Sequence, residues 1–403
     1  MPSKVVDGDK TIRVRRRQAL ILQVGDDFVL DVAGLLRGAL DMRTAPQISL
    51  LCPIRGHSIA LKLEELAMVM TVPAGGWIST EELCSPERAA ALLGLARRGI
   101  LLSDPPLEES RDVVEGEAAI ADTQWSELAA VYHAHTRWQG VDSLGAEEAS
   151  PVQSVARIAK VPAFFRRTDA LRRLPMALPR LEGPFFEALL ARRTTRSFRS
   201  DEPLPRDALE TVLYAVFGAQ GFKESGGVSA IKRTSPSGGA LHPIEAYVLA
   251  LNVDDVPPGI YHYEAATHAL AQLECIDPGE ARQLACLFTA GQKYFADAHA
   301  LVIHVARFER SFAKYSRHQK AYKAVLMDSA HLSQTLYLTA THIGLGAFFT
   351  AAINDVDIGR RLRLPHLRES AVAINGIGVP GRISKDLHFM VDRYTPNAVD
   401  GDS

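Results

Sequence analysis

Between Ala191 and Phe198 the chain sets Arg192, Arg193 and Arg196 around Thr194 and Thr195, directly after an apolar run with helical spacing. Those residue types in that order suit a phosphate. Guanidinium forks offer paired N–H donors, hydroxyls add more, and an extended backbone lets alternate side chains converge on one anion. Taken alone, the stretch reads as a solvated basic turn. Its company changes the balance: Ser235-Pro236-Ser237-Gly238-Gly239-Ala240-Leu241-His242-Pro243 follows one helix later and leads into a strand. Glycines in such a loop let the backbone approach a ligand closely.

Two further segments complete the set, Gly344-Leu345-Gly346-Ala347-Phe348-Phe349-Thr350-Ala351 and Gly376-Ile377-Gly378-Val379-Pro380-Gly381. Together, and in this order, the four segments resemble the nitroreductase superfamily, specifically its azoline-oxidising branch of McbC-like or SagB-type dehydrogenases. The resemblance implies FMN bound at a homodimer interface. It puts Arg192, Arg193, Thr194 and Arg196 on the phosphate and ribityl chain, and brings Pro236, Ser237, Gly238 and Gly239 from the partner subunit. It lays Ala347, Phe348, Phe349 and Thr350 over the isoalloxazine ring, where backbone N–H groups can tune the flavin. Gly378 belongs to the last glycine motif, and Arg382 and Lys385 beyond it are candidates for closing the phosphate pocket. A surface cation at a strand end is the alternative for those two.

The reaction implied is oxidation of a peptide thiazoline or oxazoline to the azole, with the flavin carrying the redox step and a protein base removing the Cα proton. Family members carry a Lys-Tyr pair near the start of a long helix. This chain reads Lys320-Ala321-Tyr322-Lys323-Ala324, so Lys323 takes the lysine position as the candidate base and Ala324 replaces the tyrosine, while Tyr322, one residue earlier, is the candidate either to substitute for that tyrosine in catalysis or simply to pack. The partners implied are a precursor peptide and a cyclodehydratase. Two other functions stay open: an NAD(P)H-fed nitro or quinone reductase, and a scaffold that binds a leader peptide without catalysis.

Composition sets bounds on all three. A chain of 403 residues with 47% hydrophobic content has ample core for two or three domains. Net charge of -2 argues against nucleic acid or membrane held by bulk charge. Cys52, Cys84, Cys275 and Cys286 lack C-x-x-C spacing, which suggests neither zinc nor a disulfide framework and fits a reducing cytoplasm. No apolar run is long enough to span a bilayer. His133 and His135 invite a metal, but no third ligand accompanies them and a helix turns residues two apart onto different faces.

Periodicity then divides the chain. Residues 1–103 read as a winged-helix-like module that would bind a precursor's leader peptide by adding it as a strand, a DNA role being weakened by the Ala- and Leu-rich middle of Glu87 to Arg98. Its expected elements are strands within Thr11 to Val24, Ile48 to Cys52 and Ser58 to Leu63, a helix Leu63 to Met70, a cap at Ser79-Thr80-Glu81-Glu82, and a helix stopped by Gly99. Residues 104–184 read as a linker with one helix, Trp125 to Trp138, and a proline-marked approach that wraps over the catalytic domain. Residues 185–403 read as the FMN domain, an α+β fold with a mixed or antiparallel sheet flanked by helices. Lys320 to Ile343 is its longest helix, with small residues along an apolar seam suited to a dimer core.

Overall fold

The computed structural model describes residues 11–18, 20–30, 42–81, 85–148, 167–177, 179–199, 201–225 and 227–382. They fall into two compact units. The first comprises Met1–Trp138, Arg307–Val325 and Gly359–Ser370; the second comprises Gln139–Ala306, Leu326–Ile358 and Ala371–Ser403.

The first unit opens with strands β1 (Arg13–Arg16), β2 (Ile21–Leu30), β3 (Met42–Leu51), β4 (Ser58–Leu61), β5 (Ile78–Ser79) and β6 (Leu101–Asp104). They form two small antiparallel sheets, ordered β5-β1-β6 and β2-β3-β4. Alternation in β1 sends Val14 inward, where it joins Leu50, Leu61, Val69, Leu92, Leu95 and Leu101 in one core. Helix Leu63–Met70 lies where its periodicity puts it, and helix Pro86–Arg97 ends against Gly99 at φ +73°. The N-cap differs from expectation. Ser85 accepts from Arg88 N–H, with Pro86 presetting φ at the first helical position, whereas Ser79 lies in β5 and Thr80 hydroxyl donates to Ile12 O at 2.8 Å.

Among its described residues the stretch 104–184, expected to hold one helix, carries the α-helices Arg111–Thr123, Glu127–His135 and Ser143–Glu148. Gly116 hides the first of them, because a glycine inside a helix lowers its apparent propensity. Here the glycine is required by packing: a Cβ would sit 2.5 Å from Ile54 Cγ1. Trp125 anchors the second helix. Its ring lies 4.6 Å from Phe308 and 4.7 Å from Phe312, and its Nε1 donates to Leu367 O at 2.7 Å. Residues up to Trp138 therefore share a unit with the N-terminal sheets and with two later pieces of chain, a division that differs from the expected boundary at 103. In the proline-marked approach the described residues 167–177 and 179–182 are exposed throughout, Leu171 and Met176 included.

The second unit adds β7 (Gly221–Ser225), β8 (Val228–Lys232), β9 (Ile244–Ala250), β10 (Gly259–Glu264), β11 (Ala269–Cys275), β12 (Ala300–Arg307), β13 (Gly346–Thr350) and β14 (Glu369–Gly378). Six of them make one sheet, ordered β11-β10-β9-β12-β14-β13, while β7 and β8 form a separate hairpin that the sequence pattern does not announce. The pairings β10 with β11, β9 with β10, β9 with β12, and β13 with β14 are antiparallel. Strand β12 is buried from Ala300 to Ala306, as its apolar run, interrupted by His304 alone, requires of an inner strand covered on both faces. Helices Pro184–Ala191, Arg206–Phe217 and Pro278–Phe288 belong to this unit. The long helix runs Gln319–His342, with Leu332, Leu336 and Ala340 buried along one side. The fold is the expected α+β class, an antiparallel sheet with flanking helices and small N-terminal sheets.

Candidate functional site

Helix Pro184–Ala191 stops at Arg192, whose φ of -56° and ψ of 126° turn the chain into extended backbone. That segment is laid along the edge of β13. Thr194 bridges Ala347 in parallel, and Thr195 N–H donates to Ala347 O at 2.8 Å. Further on, Arg199 N–H donates to Val379 O at 3.0 Å and Gly381 N–H donates to Ser197 O at 2.7 Å. Three sequence-distant segments, 192–199, 346–350 and 378–381, are thereby knitted together.

The glycines are what allow it. A Cβ on Gly346 would meet Thr195 Cγ2 at 2.7 Å, and one on Gly381 would meet Ser197 Oγ at 2.5 Å. Gly376 lies under the Phe348 ring, where a Cβ would come within 2.0 Å, and a Cβ on Gly378 would meet His299 Nδ1 at 2.2 Å. These glycines thus serve close approach between protein segments, Gly378 included. The Phe348 ring is fully buried and stacks on Phe295 at 3.6 Å, and Thr350 Oγ1 accepts from Gln292 Nε2 at 3.2 Å. Phe349, between them, is half-buried.

The long helix organises the remaining segments. Tyr337 holds the basic stretch: its hydroxyl is 3.2 Å from Thr194 Oγ1, and the Arg192 guanidinium lies over its ring at 5.2 Å. Asp328 holds the glycine loop: it accepts from Ser237 Oγ at 2.6 Å and from Gly238 N–H at 3.3 Å. Thr335 Oγ1 is 2.6 Å from Ser235 Oγ. Gly239 sits at φ +68°, left-handed backbone that favours glycine. Sequence reasoning misses both Tyr337 and Asp328; an acid inside an apolar helical seam is the available signal for Asp328.

These residues fit a phosphorylated flavin by the chemistry of their donors. Arg193 and Arg196 carry no acid partner among the described residues, Arg196 is exposed, and Pro236, Gly238 and Gly239 present an open loop. Arg382 is exposed, directly after Gly381. Lys385 lies outside the described residues. Tyr322 and Lys323 belong to the first unit. Lys323 is exposed, whereas Tyr322 is buried and its hydroxyl lies 3.1 Å from His133 Nδ1. His133 Nε2 lies 3.2 Å from His366 O; a carbonyl only accepts, so Nε2 carries the proton and the tyrosine donates to Nδ1. Burial pushes the ring's pKa down to about 3, keeping it neutral. Among the described residues no group of three or more metal-ligating side chains occurs, and no helix is long and apolar enough to cross a membrane.

Comparison with known proteins places this geometry. Residues 189–379 match the nitroreductase family. A protein of Methanocaldococcus jannaschii, provisionally named a nitroreductase, is 31% identical over 195 residues, covering 47% of this chain and 90% of its own length. The trifolitoxin-processing protein TfxB of Rhizobium leguminosarum bv. trifolii is 32% identical over 147 residues, 36% of this chain and 38% of TfxB. The microcin B17-processing protein McbC of Escherichia coli is 26% identical over 147 residues, 33% of this chain and 49% of McbC. The chain thus spans less than half the length of either processing protein. Among solved structures, a chain of the E. coli microcin synthetase McbBCD complex with truncated pro-MccB17 bound shares the fold, with a TM-score of 0.50 and 19% identity over 66% of this chain and 97% of that one.

Proposed function

Because the chain belongs to the nitroreductase family, in its McbC-like branch, we propose that it is an FMN-dependent dehydrogenase acting on a thiazoline or oxazoline in a precursor peptide. The observation that carries the proposal is the knitting of the basic segment to β13 through Thr195 and to the last glycine motif through Ser197 and Gly381. Arg192, Arg193, Thr194 and Arg196 would hold the phosphate and ribityl chain, with Arg382 and Lys385 closing over it. Gly238, Gly239 and the outer edge of β13 would face the ring. When bound, FMN supplies a two-electron acceptor.

The chain's own residues supply orientation and proton transfer. Lys323 is the base proposed to take the Cα proton, which requires it to be unprotonated beside the substrate. Tyr322, donating to His133 and packed among aromatic rings, holds the turn that carries Lys323. A leader peptide would add to the N-terminal module, where Val24 on β2 and Leu63 just after the edge strand β4, both 72% exposed, line one groove across the sheet with Arg98, which reaches the Ala60 carbonyl. A cyclodehydratase making the heterocycle is the partner this implies.

A homodimer fits the long helix. Asp328 and Thr335 are seven residues apart and share a face, whereas Tyr337, nine residues from Asp328, lies roughly 180° around. The glycine loop and the basic segment of one chain therefore grip opposite faces of one helix. A second copy would bring the missing half to each site.

The purified protein should be yellow with bound FMN. Replacing Arg192 and Arg196 by Ala should strip it, since each charge-assisted hydrogen bond removed costs roughly 1.5 to 3 kcal/mol. A colourless wild type that FMN cannot reconstitute would sink the proposal. The near full-length match to the M. jannaschii protein supports a second reading, an NAD(P)H-fed nitro or quinone reductase. Rapid NAD(P)H oxidation with a quinone, and none with heterocyclic peptide, would favour it.

A further inference from the structure

His304 on β12 is fully buried, with Phe217 edge-on to its ring at 5.3 Å, and none of the chemistry above uses it. Its Nδ1 lies 2.8 Å from Ser329 Oγ on the long helix. Its Nε2 and the Asn375 side-chain oxygen on β14 are both buried and neither meets a hydrogen-bond partner of ordinary geometry among the described residues, although the two side chains interact. Asn375 Nδ2 donates to Phe348 O at 2.8 Å.

The chemistry of the acceptors orients these side chains. Phe348 O can only accept, so Asn375 turns its NH2 to β13 and its oxygen to His304. That oxygen needs a donor, which puts the ring proton on Nε2 and leaves Nδ1 to accept from the Ser329 hydroxyl. Burial keeps the ring neutral, with its pKa pushed down to about 3, so it carries one proton rather than two. With that proton shared between His304 and Asn375, the donors would run from Ser329 to His304 to Asn375 to the Phe348 carbonyl.

Its end point is a single peptide unit of β13. Ala347 O accepts from Thr195 on the outer side, so by antiparallel alternation Phe348 turns its backbone groups toward β14 and Phe349 turns its own outward. The peptide joining them is planar and trans: with its carbonyl turned inward by the ladder and bonded there by Asn375, its N–H, that of Phe349, points to the open edge. Each bond in a polar chain polarises the next. Ser329 also directly follows Asp328, which holds the Ser237–Gly238 loop, so adjacent residues of one helix serve both ring-facing segments.

We propose that Asn375, oriented by His304 and Ser329, is a positioning residue that presents the Phe349 N–H as a fixed, polarised donor to the flavin ring. The proposal rests on the FMN reading above. An N–H donated to a ring nitrogen favours the oxidised flavin, whose nitrogen accepts, over the reduced flavin, whose nitrogen carries its own proton.

Asn375→Leu should raise the reduction potential of bound FMN and shift its visible spectrum. It should also speed hydrogen exchange across residues 346–350 in cofactor-free protein by roughly tenfold or more, as loss of one buried bond implies. Ser329→Ala, which disturbs the core least, should move the potential the same way by less. His304→Gln, which keeps an N–H near the Nε2 position, should stay nearer wild type than His304→Leu. Combining His304→Leu with Asn375→Leu should add little to either alone, since the bonds act in series. A colourless wild type would overturn the FMN reading and this inference with it. A yellow wild type whose Asn375→Leu and Ser329→Ala variants fold and keep its potential and spectrum would overturn this inference alone.

Discussion

Lys323 is where the proposed chemistry is most exposed to test. It is a solvent-facing side chain on the long helix, one position after a tyrosine that is buried. The two neighbours point in different directions because successive helix residues are turned by about 100°. The structure gives Tyr322 a partner of its own: the hydroxyl satisfies a neutral histidine, and the ring lies 5.6 Å from Trp125. Lys323→Met preserves length and removes the amine, so FMN should stay bound while turnover of heterocyclic peptide falls by roughly two to four orders of magnitude. Tyr322→Phe should cost stability, about 1 to 3 kcal/mol for a buried acceptor left unmet, while turnover in the folded fraction changes less than tenfold. Stopped-flow kinetics on folded variants separates the two. Peptide oxidation at the wild-type rate by Lys323→Met would return that lysine to the surface residues.

At the scale of elements, the first unit carries its own pH sensitivity. Burial lowers His133 to about 3 and His366 to about 4. Above pH near 6.5 both rings are neutral folded or unfolded, and they contribute no pH dependence. As pH falls below that value the unfolded chain takes up protons that the folded chain refuses, so stability declines through the window from about 6.5 to 4, by up to about 1.4 kcal/mol per pH unit for each ring. Urea midpoints at pH 7.5 and 5 read this slope. His133→Phe should lower the midpoint at both values yet flatten the difference, and an unchanged slope would mean that the ring titrates freely in the fold. Helices with strong periodicity are legible in the sequence: Leu63–Met70 has the bounds that its apolar spacing gives. Arg111–Thr123 is not, because Gly116 and the acidic stretch around it mimic a linker, and the reason for the glycine, Ile54, lies far away in sequence. The site divides similarly. Arg192, Arg196 and the glycine segments announce themselves by type, whereas Tyr337 and Asp328 act through hydrogen bonds that no spacing along the chain reveals.

For the whole molecule the decisive property is which chain completes which site. If each flavin lies between the basic segment of one copy and the glycine loop of another, a defect in the first and a defect in the second can reside in different chains. Arg192→Ala with Arg196→Ala removes the phosphate donors, and Gly239→Val strains a residue held at φ +68°. Each variant alone should bind FMN poorly and turn over little. Unfolded together in equal amounts and refolded, they form mixed dimers in which one site gathers both defects and the other gathers none. With random pairing about half the dimers are mixed, so about one quarter of all sites should be intact and the activity should recover to that fraction. A site built within one chain gives a different result: every site then carries one defect or the other, and mixing recovers nothing. Light scattering on the same samples supplies the mass. Recovery near a quarter with a dimeric mass supports the shared site, while a monomer that holds FMN tightly, or a dimer in which mixing restores no activity, would assign each flavin to a single chain.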